Sequence, residues 1–180
     1  MKKPMDFAQT NLLLEQYING TLQKYDLLFC LFGGNGREVP PQERSRFLLE
    51  YLHRVTETQN GGGAEYAVIL HEVLSCKDPQ TLAAFQKLLA QDWHERHEDI
   101  VTLLAECPSE SSLPHLVKAF AFDPPYADRY PLQKKIMWAV YRIAAGGRRG
   151  AEILQPLAKS AAPELQKEFR QFASNIVAKP

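Results

Sequence analysis

Apolar residues recur along this chain at three- and four-residue spacing, the period of a helix face. The two-residue alternation of a half-buried strand is nearly absent. From about residue 6 to 32, Phe7, Leu12, Leu13, Leu14, Tyr17, Ile18, Leu22, Tyr25, Leu28 and Phe29 predict two helices, or one interrupted near Gly20. Gly33-Gly34-Asn35-Gly36 ends that element and Pro40-Pro41 opens the next, since proline's fixed φ suits the first turn of a helix. A helix over about 41–56 turns Phe47, Leu48, Tyr51, Leu52 and Val55 inward. Gln59-Asn60-Gly61-Gly62-Gly63 then predicts a flexible loop.

Beyond that loop the chain becomes repetitive. Helical pairs are expected at Ala64–Cys76 with Gln80–Gln91, at His94–Cys107 with Glu110–Phe122, and at Leu132–Ala145 with Arg148–Ser160. Their turns carry Asp78-Pro79, Pro108-Ser109 and Gly146-Gly147, and Leu82, Leu113 and Ile153 occupy equivalent early positions of each second helix. These landmarks lie 31 and 40 residues apart, compatible with degenerate repeats and one insertion. A helical pair leaves one face uncovered and is stable when stacked on another. In the 132–145 helix, Leu132, Ile136, Val140 and Ile143 form one stripe and Met137, Trp138 and Tyr141 a second, so both sides are expected to be covered. The last helix has one stripe only, Leu165, Phe169, Phe172 and Ile176, opposite Gln166, Lys167, Arg170, Gln171 and Ser174. The expectation is one all-α domain over 1–180: a HEAT-like helical hairpin solenoid over 64–180 with a C-terminal capping helix, preceded by irregular helices over 1–60.

Composition narrows the function classes. At 180 residues the chain can bury a sizeable core. Twenty-one basic residues balance 21 acidic ones, so no global field draws the chain to nucleic acid or to an anionic membrane. No apolar run is long enough to span a bilayer, and Asp6, Gln9, Asn11 and Glu15 break up any signal-like segment behind Lys2-Lys3. Cys30, Cys76 and Cys107 are odd in number and set among apolar positions, which predicts buried, reduced thiols and a cytoplasmic location.

Candidate chemistry begins with three His-Glu dipeptides, His71-Glu72, His94-Glu95 and His97-Glu98. In this one respect the chain is similar to HEAT-repeat hydroxylases that bind two irons. The spacing follows no repeat period, however, and it departs from His-Glu-x-x-His. His97 shares a stripe with Trp93, Ile100, Val101 and Leu104, where a ring hydrogen-bonded to a neighbouring turn is the plainer expectation. No Gly-x-Ser-x-Gly elbow is present, and neither glycine run continues into Lys-Ser/Thr after a strand. No catalytic residue, metal ligand or cofactor is assigned.

Charge placement says more than net charge. Glu95, Glu98, Asp99, Glu106 and Glu110 gather around the second pair, with Asp123 and Asp128 beyond, while Lys134, Lys135, Arg142, Arg148 and Arg149 gather around the third. For each residue a solvated face with favourable helix-end charges is the simpler account. The sharper one is an acidic patch that docks a basic protein. The insertion from Phe122 to Pro131 holds Tyr126, Asp128, Arg129 and Tyr130 among three prolines. It suits a contact loop, because tyrosine and arginine are enriched at hot spots, and it equally suits a rigid linker.

The run from Trp93 to Leu154 resembles the HEAT-like immunity proteins encoded beside bacterial polymorphic and contact-dependent toxins. The resemblance is carried by Trp93, His94, His97, Glu98, Asp99, Pro108, Tyr126, Asp128, Lys135, Trp138, Ala139, Ile143 and Leu154, and departs at Ala144-Ala145-Gly146-Gly147. It implies a non-enzymatic protein that neutralises a cognate toxin domain, such as a nuclease, by binding it. Glu95, Glu98, Asp99, Tyr126, Asp128, Arg129 and Tyr130 are the expected partner-facing residues, and Trp93, His97 and Trp138 are expected to be structural. A general HEAT scaffold or adaptor is the alternative, with the metal-dependent hydroxylase behind it.

Overall fold

A computed structural model describes residues 6–33, 39–126, 130–144 and 147–177, and the described residues contain α-helices, one 3-10 turn and no strand. The all-α class expected from the sequence is what they show. The chain divides into two compact units, Met1–Ala84 and Phe85–Pro180.

In the first unit, α1 (Phe7–Ile18) is capped by the Asp6 carboxylate, which accepts from the Gln9 N–H at 3.0 Å. After Gly20, at φ 73°, α2 (Lys24–Phe32) follows and ends at Gly33 in the left-handed region. Two helices separated near Gly20 are therefore the observed form. α3 (Pro41–Thr58) closes at Gln59 with φ 48°. α4 (Gly61–Leu74) packs on both α3 and α1. The glycine run expected to be a loop is instead the first turn of α4, because the Asn60 side chain accepts the Gly63 N–H at 2.8 Å. A Cβ on Gly63 would sit 2.8 Å from Val55 Cγ2, so this glycine serves the close approach of α3 and α4.

Leu14, Leu27, Leu48, Tyr51, Val55 and Leu70 are fully buried here. Tyr51 stacks on Phe7 with ring centroids 4.9 Å apart and donates its hydroxyl proton to Asn11 Oδ1. Burial pushes its phenol well above the ordinary tyrosine range. At the start of α5 (Pro79–Leu88), Asp78 accepts from the Thr81 N–H at 3.0 Å, the Thr81 hydroxyl at 2.7 Å and the Ser45 hydroxyl at 2.6 Å. Burial alone would raise this carboxyl; the hydrogen bonds from Ser45 and Thr81 outweigh it and hold it below the usual range. Cys76 is buried as expected, but Cys30, on α2, is exposed.

In the second unit, a turn over 89–96 leads into α6 (His97–Glu106). A 3-10 turn (Glu110–Ser112), α7 (Leu113–Ala119), α8 (Pro131–Ile143), α9 (Gly147–Ser160) and α10 (Pro163–Val177) follow. α8 is the central element, packed on α6, α7 and α9, and α10 packs on α9. Leu132, Ile136, Ala139 and Val140 are fully buried. The second stripe expected on α8 is covered only in part: Met137 is buried and Tyr141 half-buried, but Trp138 is 62% exposed. The reason is angular. At about 100° per residue, Trp138 lies beside Lys134 and Arg142 on the face opposite Ile136 and Ile143, whose partners occupy the other side. On α10, Leu165 and Phe169 are buried while Lys167, Arg170 and Gln171 are exposed, and the Ser174 and Ile176 side chains lie outside the described set.

Candidate functional site

The tryptophan–histidine run folds before the helix, not inside it. His94 Nε2 lies 2.9 Å from the Leu88 carbonyl, which can only accept, so Nε2 carries the proton. His94 Nδ1 then accepts the Arg96 N–H at 3.1 Å. This side-chain-to-backbone bond stabilises the turn over 94–96 and delays the helix to His97, three residues later than expected from the sequence. His97 repeats the device: Nε2–H donates to the Gln91 carbonyl at 2.7 Å, and Nδ1 accepts the Tyr126 hydroxyl proton at 2.8 Å.

The two rings stack with centroids 4.2 Å apart, Trp93 meets His94 edge-on at 5.2 Å, and Phe122 lies 4.7 Å from His97. Both histidines are buried, at 2% and 0% exposure. Burial lowers the His94 pKa to about 4, despite the hydrogen bond to Leu88, and it lowers that of His97 as well. Two neutral imidazoles with every ring nitrogen engaged have no lone pair left for a metal. His71 is also buried, in α4. Among the described residues no group of three or more His, Cys, Asp or Glu side chains is placed to hold a metal ion.

Tyr126 joins this core to the surface. It is 37% exposed, and its phenol is pushed up to about 12, first by burial and then by the charges of Glu98, Glu95 and Asp99. Three of the sequence-selected acids thus act on one tyrosine, itself a fourth member of that set. Their charge is not all available: Lys135 pairs with Glu98 at 3.6 Å, and Arg96 with Asp99 at 3.8 Å. Arg149 holds Glu110 through two hydrogen bonds, at 2.6 and 3.0 Å, which keeps that carboxyl below its usual range. Basic and acidic clusters that look separate in sequence thus partly neutralise each other across helices. Tyr130 is half-buried at φ 58°, where it starts α8, and Asp128 and Arg129 lie outside the described residues.

Sequence reasoning missed Trp138, the most exposed large apolar side chain among the described residues. Its ring meets Phe172 edge-on at 4.7 Å, and Tyr141 contacts the same phenylalanine at 5.7 Å. Lys134 and Glu168 pair at 2.8 Å on the same two helices, α8 and α10. The four-residue spacing Lys134–Trp138–Arg142, polar at both ends, was the signal that could have placed Trp138 outside. Scans of family models, curated proteins and solved structures find no match to this chain.

Proposed function

We propose that this chain is a non-enzymatic immunity protein that binds and neutralises a cognate bacterial toxin domain. The observation that carries the proposal is Trp138, 62% exposed and braced against Phe172. A large, rigid aromatic held at the surface among charged residues is the side chain that most often anchors a protein–protein interface. It belongs to the Lys135–Ala139 segment on which the resemblance to immunity proteins rests. Glu95, Asp99 and Tyr126 supply polar and acidic contacts on the same unit, and with Glu98, Asp128, Arg129 and Tyr130 they are the proposed partner-facing set. Acidic residues there favour association with a basic toxin surface chiefly through the on-rate.

The proposal includes HEAT-like stacking of the helical pairs in the second unit, with α10 as its cap; one-sided burial of Leu165 and Phe169 supports that role. The test is affinity capture from the native bacterium, followed by calorimetry and co-expression with the dominant partner. One partner held at about nanomolar Kd, toxic alone and silenced by this chain, is the expected result. Several weak partners, none of them toxic, would replace the proposal with a scaffold.

A further inference from the structure

A cleft of about 460 Å³ opens in the second unit between the end of α5 with its following turn and one face of α7. Leu89, Ala119 and Phe122 form its apolar floor, and Lys87, Lys118 and His115 line its polar side. Pro114, His115, Lys118 and Ala119 share one side of α7, and Phe122, beyond the end of that helix, continues the wall. His97 also lines the cleft, but its ring nitrogens are taken by the Gln91 carbonyl and Tyr126.

Arg96, Lys134, Lys135 and Arg149 each have a carboxylate within 4 Å. Lys87 and Lys118 have no ion-pair partner among the described residues. Asp92 is the one acid among the described lining residues, so Lys87, Lys118 and Asp92 together leave a single net positive charge. A volume within the range of small-molecule sites, an apolar floor and a few polar groups on one side make a binding cleft, not a packing defect.

We propose that this cleft binds a small amphipathic monocarboxylate, its apolar body on Leu89, Ala119 and Phe122 and its carboxylate toward Lys87, Lys118 and His115. One negative charge matches the lining; a phosphate dianion would meet Asp92 with charge in excess. The inference does not rest on toxin binding.

The test titrates octanoate, and separately 1-octanol and octyl phosphate, into the full chain, followed by backbone amide NMR at neutral pH. Octanoate is expected to shift the amides of Lys87, Gln91, His115 and Lys118 and to bind about tenfold more tightly than 1-octanol. Lys87→Met and Lys118→Met keep the apolar stems and are expected to erase that preference, while Lys167→Met on α10 leaves it intact. Equal binding of octanoate and 1-octanol, tighter binding of octyl phosphate, or no shift of these amides at about 10 mM octanoate would each overturn the proposal.

Discussion

Mild acid should destabilise the second unit through His94. A histidine whose folded-state pKa is depressed takes up its proton first in the unfolded chain, so acidification favours unfolding. With an ordinary value of 6.5 and a folded value of about 4, the contribution is intact above 6.5 and is lost as pH falls toward 4. At about pH 5 the unfolded chain is almost fully protonated at this site and the folded one hardly at all, a loss of about 2 kcal/mol. His97 is shifted in the same direction and adds to it. The geometry explains the resistance. A proton on His94 Nδ1 would face the Arg96 N–H, donor against donor, and its charge would stack on His97. Asp78, held below the carboxylate range, loses its contribution only at lower pH.

Both tryptophans lie in the second unit, so tryptophan fluorescence during urea unfolding follows that unit alone. The free energy between pH 7 and 5 is expected to fall by about 2 kcal/mol or more in the parent chain. His94→Gln lowers stability at pH 7 but removes one titrating group, so its pH slope is expected to be shallower by up to about 1.4 kcal/mol per pH unit. A parent chain with flat stability over this window, or a variant that keeps the parent slope, would refute the reasoning.

Four further outcomes are expected. Trp138→Ala removes an exposed ring with two edge contacts, to Phe172 and Tyr141, so unfolding should change by about 1 kcal/mol while binding of the captured partner weakens by about 2 kcal/mol or more in calorimetry; an unchanged Kd would remove Trp138 from the interface. Gly63→Ala presses a methyl onto Val55 and should destabilise the first unit by about 1–3 kcal/mol in urea unfolding followed by circular dichroism, against the usual benefit of alanine in a helix. Tyr126→Phe leaves His97 Nδ1 without its donor and should cost about 1 kcal/mol, visible as a lower thermal midpoint. Lys135→Met breaks a partly exposed pair with Glu98 and should move stability by less than about 1 kcal/mol in the same melt.

The candidate site was chosen one residue at a time. Glu95, Glu98, Asp99 and Tyr126 were chosen by residue type, and the charges of the three acids all raise the Tyr126 phenol. Legibility stopped at pairing. Whether Glu98 offers a charge to a partner depends on Lys135, 37 positions away, and sequence separation carries no distance. The glycine run at 61–63 was misread because glycine serves loops and close helix packing alike, and only the approach of Val55 separates the two.

The sequence by itself determined the helical class and most helix limits, because three- and four-residue periodicity, proline starts and glycine stops act within a few residues. It also determined that His97 would lie on a buried stripe. The tertiary structure decided how completely each apolar face is covered. Trp138 and Ile136 are both large and apolar, but one is exposed and the other sealed. Burial is a property of what neighbouring helices bring, and the number of faces a helix can cover is set by its partners. The same reason governs the histidines: their neutral state follows from carbonyls and rings delivered by the 88–91 turn, Phe122 and Tyr126, which no local pattern specifies.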